Sequence, residues 1–545
     1  MKKSKLALAM AGVALAIGGM FTACQHDEPT LSDDAAVNAE AIVNVGPTNA
    51  TCGQITSITV NTTWSSTNVY RLNGYIRVVA PATLTIQAGT RIEGVTSNRG
   101  TLFIERGAKI NAVGTATAPI VFTSANTTKA AGDWGGVIIC GKAPINTGTV
   151  VGTYKENQIE GLTPAALTAG VAKYGGSVTT DNSGSFRYVR IEYAGLIQDN
   201  SPSGNETNGL TLGGVGSGTV IDHVEVAWSN DDAFEWFGGT VNCKYLISYR
   251  NRDDDFDTDY GYRGKLQFLF ALRDPAFADN NKAIWPGTCV YPLTVNGSGS
   301  NGFESDNNES SDTNTPRTQP IVSNATIYGP RASNPATISE GYGTSSLFSS
   351  GGYGVFNRRR SLEGINNSVI IGWTRHQYNI TTSADWSPTT STNNVITSAI
   401  NNTLLSNNSA LAGLTPAGFT SPTPLIAFTN TATQNRVPAN SANLLTTLGL
   451  PAFNILAPNP VPAAGSILLS TTNVNGSNPA GRFPTTGTNT SLNDPFFDKS
   501  ATTAGFRGAF APASAGNVAG SYSGANGWNI PTSGASWVRY FNAGN

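Results

Sequence analysis

The chain has 545 residues, with 33 Lys and Arg against 35 Asp and Glu and a formal net charge of −2. Only 12% of its residues are charged while 60 are Gly, which excludes a helical bundle or a coiled coil, and the charge balance excludes nucleic acid and acidic lipid as partners drawn by bulk electrostatics. The length accommodates two to four ordinary domains or one long repetitive one.

Lys2, Lys3 and Lys5 open the chain, an apolar stretch runs from Leu6 to Phe21, and the small residues Thr22 and Ala23 precede Cys24. That is the layout of an export signal. The apolar run of about 16 residues falls short of the roughly 20 that a membrane-spanning helix needs, and Gly18-Gly19 interrupts it. Phe21-Thr22-Ala23-Cys24 resembles a lipobox, with Phe where Leu is commonest. The resemblance implies removal of residues 1–23 and lipid attachment at Cys24, with more than one acyl chain holding the protein to a membrane. Gln25-His26-Asp27-Glu28 and the polar residues after it are similar to the acidic export signal of Bacteroidetes-type lipoproteins. That similarity implies an outer-membrane, cell-surface location; the residues alone read as a flexible tether over 24–54.

Apart from Cys24, the cysteines are Cys52, Cys140, Cys243 and Cys289. They allow two disulfides in any of three pairings, or buried free thiols. No CxxC occurs and only His223 and His376 lie beyond the tether, so the spacing fits no zinc site.

From Ile55 onward short β-branched and aromatic runs alternate with Gly, Asn and Asp turns: Leu84-Thr85-Ile86, Thr101-Leu102-Phe103-Ile104, Ile120-Val121-Phe122, Gly136-Val137-Ile138-Ile139, Tyr188-Val189-Arg190-Ile191 and His223-Val224-Glu225-Val226. Nothing between them has the length and 3.6-residue period of a substantial helix. Asn230-Asp231-Asp232-Ala233-Phe234-Glu235 is echoed by Asp253-Asp254-Asp255-Phe256-Asp257, with the phenylalanines 22 residues apart (256 − 234). Asn301-Gly302-Phe303-Glu304-Ser305-Asp306 follows after 47 residues (303 − 256), which reads as about two further turns, and Leu210 precedes Phe234 by 24 (234 − 210). A repeat of this size built from short strands predicts an all-β solenoid, a right-handed parallel β-helix over 55–400. The segment Trp64 to Val79 is expected to cap its first coil. Residues 401–545, rich in Ser, Thr, Asn and Pro, are expected to form degenerate coils and a C-terminal cap, with the aromatic ending Trp528 to Phe541 ordered.

Gly132-Asp133-Trp134-Gly135-Gly136-Val137-Ile138-Ile139, Asn208-Gly209-Leu210-Thr211-Leu212-Gly213-Gly214-Val215-Gly216, Phe237-Gly238-Gly239-Thr240-Val241-Asn242 and Gly261-Tyr262-Arg263-Gly264-Lys265 together resemble secreted pectin-lyase-like β-helix proteins common among Bacteroidetes-type bacteria. The likeness covers roughly residues 55 to 375. It implies the fold and an extracellular location rather than a particular activity.

The acidic repeat carries the most local chemistry. Alternate residues of a strand share a face, so an inward Phe256 sends Asp255 and Asp257 outward, with Asp253 and Asp259 beyond them. Asp231 and Glu235 flank Phe234 in the same way, and Glu304 and Asp306 flank Phe303. Coils stack about 4.8 Å apart, at which neighbouring carboxylates repel by roughly 1 to 3 kcal/mol per pair. Hard oxygen ligands at this density fit calcium. The alternative is that these acids cap turns, pair with Arg250, Arg252 and Arg263, or are solvated. An EF-hand is excluded by Thr258 at its sixth position and Gly264 at its twelfth.

Trp236, Tyr260, Tyr262 and Arg263 are candidate glycan contacts, although aromatic residues in such folds more often stack in the core. Arg187, Arg190, Arg263 and Lys265 are candidate bases for a polysaccharide lyase, and paired acids for a glycosidase. Gly213 to Gly218 lacks the ending of a phosphate loop, and Arg358-Arg359-Arg360 is expected to pair with nearby acids. The leading expectation is a non-catalytic surface β-helix, calcium-stabilised, that binds a polysaccharide or an envelope protein. A polysaccharide lyase or glycosidase is the alternative.

Overall fold

The short apolar runs become strands because each can bury one row of side chains against the coil above and the coil below. The computed structural model describes residues 41–196, 206–274, 277, 299–330 and 352–373, with short stretches at 379–380, 400–401, 404–406, 436–437, 460–463, 466, 494–498, 508–510, 528, 530–531 and 535–539. The expected export signal, Cys24, Cys289, Phe541 and the tether before residue 41 lie outside these residues.

Ten strands stack in chain order into one sheet: Ile55–Ile58, Tyr75–Val78, Thr101–Ile104, Val137–Cys140, Leu210–Gly213, Phe234–Phe237, Phe256–Asp259, Phe303–Ser305, Val355–Asn357 and Asn379–Ile380. Every neighbouring pair is parallel. Between each of these strands and the next the chain passes through a second, 17-stranded sheet, where Gly184–Glu192, Val220–Ala227, Asn242–Tyr249, Lys265–Leu272 and Ile321–Tyr328 also stack in parallel. One strand per coil in the first sheet, and one long or two short strands per coil in the second, make the architecture a parallel β-helix.

The inward row holds Leu210, Leu212, Phe234, Trp236, Phe256 and Phe303 in one continuous core that runs along the coil axis. The turn Gly238-Gly239 closes the Phe234–Phe237 strand at φ of 69° and 87°, and a Cβ on Gly239 would lie 2.5 Å from the carbonyl oxygen of Val215. Only glycine fits there without strain.

The five long strands of the second sheet bend at Tyr188, His223, Tyr245, Phe268 and Asn324, all with φ between 51° and 60°. These residues align across the coils as a corner column. Left-handed backbone is costly for bulky side chains, and here ring stacking offsets the cost: centroids are 4.3 Å apart for Tyr188 and His223, 4.4 Å for His223 and Tyr245, and 5.0 Å for Tyr245 and Phe268. Trp537 meets His223 and Trp528 meets Tyr245 edge-on. The described C-terminal residues 508–510, 528, 530 and 536–539 therefore lie along the side of this sheet and not over the end of the last coil. The column and this lateral packing were not anticipated from the sequence.

Several boundaries differ from expectation. Ala41–Val45 pairs in parallel with Asn68–Leu72, so the first strand lies within the stretch expected to be tether. Trp64 to Val79 supplies regular strands rather than a cap, since Thr62–Trp64 pairs with Thr83–Ile86 and Tyr75–Val78 with Thr101–Ile104. Phe256 is the direct neighbour of Phe303. The 47-residue interval is thus a single coil lengthened by a loop, not two turns. Past residue 400, where degenerate coils are expected, Leu404–Ser406 pairs in parallel with Arg436–Val437. Cys140 and Cys243 are buried free thiols while Cys52 is disulfide-bonded, which excludes the two-disulfide arrangement.

Residues 141–183 leave the coil to form a small antiparallel sheet of Thr149–Val151, Tyr154–Gln158 and Lys173–Tyr174, with the helix Pro164–Thr168. Its Ile145, Ile159, Leu162 and Tyr174 cover the outer face of the ten-stranded sheet at Phe103, Ile138 and Cys140. Beyond this cover the same outer face turns acidic.

Candidate cation site

Register builds the site. Leu210, Phe234, Phe256 and Phe303 are mutual neighbours in consecutive coils, so residues at equal offsets from them form columns along the coil axis. One position after each lies the outward column Thr211, Glu235, Asp257 and Glu304. Two positions before each lies the corner column Asn208, Asp232, Asp254 and Asn301.

The two columns converge. Ligand oxygens of Asp232, Glu235 and Asp257 all lie within 4.8 Å of one another, as do those of Asp254, Asp257 and Glu304 and those of Asp231, Asp232 and Asp253. These side chains are largely removed from water: Asp232 is 7% exposed, Glu235 6%, Asp254 4% and Glu304 6%. Burial, and then the neighbouring carboxylates, push Asp232, Glu235, Asp254 and Asp257 well above the usual carboxylate range. Burial also lifts Glu304, to about 7, against the pull of Arg358. A buried group of acids in this state binds either protons or a cation.

The expected ligands divide. Asp231, Glu235, Asp253, Asp257 and Glu304 fall within the converging groups. Asp255 does not, because the strand begins only at Phe256 and the chain is still turning one residue earlier. There it is fully buried, accepting from the Ser248 hydroxyl at 2.5 Å and paired with Arg273 at 3.1 Å. Asp306 is held by Arg358 and Arg359, so its charge is already compensated. Asp259 accepts a hydrogen bond from the Tyr260 N–H at 2.5 Å and stands outside the three groups. Asp232 and Asp254 were missed: strict alternation places them on the inward phase with phenylalanine, but the corner before the strand turns them outward.

The expected glycan contacts also divide. Trp236 and Tyr262 are fully buried, with centroids 5.5 Å apart, as core members. They offer no face to a sugar, because Trp236 shares the inward phase of Phe234. Tyr260 is half-buried and stacked on Phe237 at 5.6 Å, and Arg263 is exposed, donating to Gln319. Tyr260 remains at the rim of the acidic face, beside Asp259, whereas Arg263 lies beyond the Gly261 turn.

The expected bases do not converge on the acids. Arg187, Arg190 and Lys265 belong to the second sheet, where they pair with Asp222 at 2.9 Å, Glu192 at 3.0 Å and Asp494 at 3.0 Å. The cations that do reach the acidic face are Arg358 and Arg359, clamped on Glu304, Asp306 and Glu309. Burial works against the charge of Arg358, but Glu304 and Asp306 outweigh it and raise its pKa above the ordinary value. Such a guanidinium holds its proton rather than accepting one.

The residues suit a hard cation. Asp257 Oδ1 is shut off from solvent without a hydrogen-bond partner, as is Oδ1 of Asn208, a residue 2% exposed whose amide nitrogen donates to Glu235. Buried oxygens left in that state cost free energy that a coordinated ion would recover.

A family model described as a pectate-lyase-like beta helix domain matches residues 53–408. The chain belongs to this family. No curated protein and no solved structure shows a significant match. In this pectate-lyase-like domain the acids lie on the outer face of the ten-stranded sheet, and the neighbouring part of that face is covered by the 141–183 insertion.

Proposed function

We propose that the protein is an exported, lipid-anchored surface β-helix that binds carbohydrate without cleaving it, through a calcium-loaded acidic face. The observation that carries the reading is the convergence of the buried Asp232, Glu235, Asp254 and Glu304 on the partly buried Asp257, only partly compensated by arginine. A calcium ion held by such acids can bridge to carboxylates of an anionic polysaccharide, with Tyr260 at the rim offering a ring. Fold membership alone does not assign an activity, and the pairing of Arg358 and Arg359 weighs against elimination chemistry. Residues 1–28 support export, anchoring at Cys24 and display at the outer membrane.

The test incubates the mature chain with uronate-containing polysaccharides, with calcium or with chelator, and measures both retention and unsaturated product. Calcium-dependent retention without product is expected. Product that accumulates only with calcium would make the protein a lyase. Anchoring is tested separately: Cys24→Ala should release the protein from the membrane fraction, and retention there would contradict it.

A further inference from the structure

The corner column explains itself only when its four members are compared. In the three later coils the side-chain oxygen of the corner residue accepts the backbone N–H of the corner above: Asp254 N–H donates to Asp232 at 2.8 Å, Asn301 N–H to Asp254, and Tyr353 N–H to Asn301 at 3.1 Å. Asparagine and aspartate perform this backbone task equally well. It does not account for aspartate in the two middle coils.

The second atom of the side chain makes the difference. Asn208 directs its amide nitrogen at both Thr211, at 3.3 Å, and Glu235 of the next coil. Asn301 donates in the same manner to Glu304 at 2.9 Å. In these outer coils an N–H donor fills the space between the corner and the outward column. In the middle coils Asp232 and Asp254 put an acceptor there, facing Glu235 and Asp257 in one case and Asp257 and Glu304 in the other. Three acidic side chains around one space require protons or a cation, and two such spaces occur one coil apart. The Oδ1 atom of Asp257, the residue shared by both groups, is shut off from solvent without a hydrogen-bond partner and points to a missing ligand.

We propose that the acidic face holds two divalent cations in equivalent positions one coil apart: the first bound by Asp232, Glu235 and Asp257, the second by Asp254, Asp257 and Glu304. Asp257 bridges them, and Asn208 and Asn301 end the row. The two positions differ in affinity. Each position has an amide donor at one end, Asn208 on Glu235 and Asn301 on Glu304, but only the second also has Arg358 bound to Glu304, so the second competes with a resident cation and the first is the tighter. This inference rests on the reading of the acidic face as a calcium site, and adds its stoichiometry and boundaries.

The test is calorimetric titration of calcium into the metal-free mature chain, alongside Asp232→Asn and Asp254→Asn. Each variant installs the residue that the outer coils already use at that corner, and circular dichroism verifies the fold. The wild type should bind two ions with distinct affinities. Asp232→Asn should bind one and lose the tight phase, with affinity at least tenfold weaker, while Asp254→Asn should bind one and keep it. One ion or three per wild-type chain would overturn the two-position arrangement while leaving calcium binding intact. No ion at all would overturn the calcium reading with it. Two ions retained in both variants would place the positions elsewhere.

Discussion

Phe234 and Phe256 stack across adjacent coils with ring centroids 5.5 Å apart and planes 15° from parallel, and Phe303 continues the stack at 5.3 Å from Phe256. This relationship fixes the register of every outward residue beside it. The acidic columns exist because the phenylalanines align.

Phe256 lies at the middle of that stack with no exposure. Phe256→Ala leaves a cavity between two rings and should cost about 3 to 5 kcal/mol. Denaturant unfolding of the mature chain measures this, and a loss below 1 kcal/mol would mean that the stack contributes little. Phe256→Leu should recover more than half of the loss.

Arg539 ties the C-terminal segment to the side of the helix through Glu192 at 2.8 Å, with both side chains buried, and its N–H donates to Glu225 at 2.8 Å. Glu192 keeps Arg190 at 3.0 Å, so Arg539→Ala removes one charged hydrogen bond of the network and should cost about 1.5 to 3 kcal/mol. Limited proteolysis should then cut the C-terminal region faster than in the wild type. An unchanged digestion pattern would show that the aromatic contacts of Trp528 and Trp537 suffice alone.

Two buried glutamates set a pH dependence. Burial lifts Glu225 to about 8, although Arg190 and Arg539 oppose it, and burial alone lifts Glu363 to about 8. From about pH 4.5 upward the unfolded chain ionises at both positions while the folded chain keeps their protons. Stability from these groups therefore falls as pH rises towards 8, with a slope of about 1.4 kcal/mol per pH unit for each. Glu192 behaves oppositely: it is buried, yet Arg539, Arg190 and Arg91 hold it at about 2, so its contribution is present above pH 4.5 and is lost as pH falls towards 2. Melting curves from pH 5 to 8 should slope downward in the wild type and less steeply in each of Glu225→Gln and Glu363→Gln. Parallel slopes in all three would contradict the assignment.

The parts of this molecule that were legible in the sequence are those that repeat with a fixed offset. Phe234 and Phe256, 22 residues apart, announced both the coil and the outward phase of Glu235, Asp257 and Glu304. Features that depend on where a strand begins were not legible, because alternation holds only within the strand: Asp255 turns inward to Arg273, and Asp232 and Asp254 turn towards the acids. Loops hide adjacency as well. Phe303 follows Phe256 by 47 residues yet lies on it directly. The aromatic column from Tyr188 to Phe268 was hidden because its members pair across coils at bends that no local pattern marks. Packing of Trp528 on Tyr245 and of Trp537 on His223 joins residues 283 (528 − 245) and 314 (537 − 223) apart, beyond the reach of periodicity.

The acidic face as a cation site is tested most directly by the melting temperature of the mature chain with excess calcium and with excess chelator, in the wild type and in Asp257→Asn. Ion binding to the folded state raises the wild-type value by an amount that grows with ion concentration, about 2.7 kcal/mol of stability at a hundred times the dissociation constant. The account predicts that rise for the wild type and a much smaller one for Asp257→Asn. A wild-type melting temperature identical in calcium and chelator would contradict it.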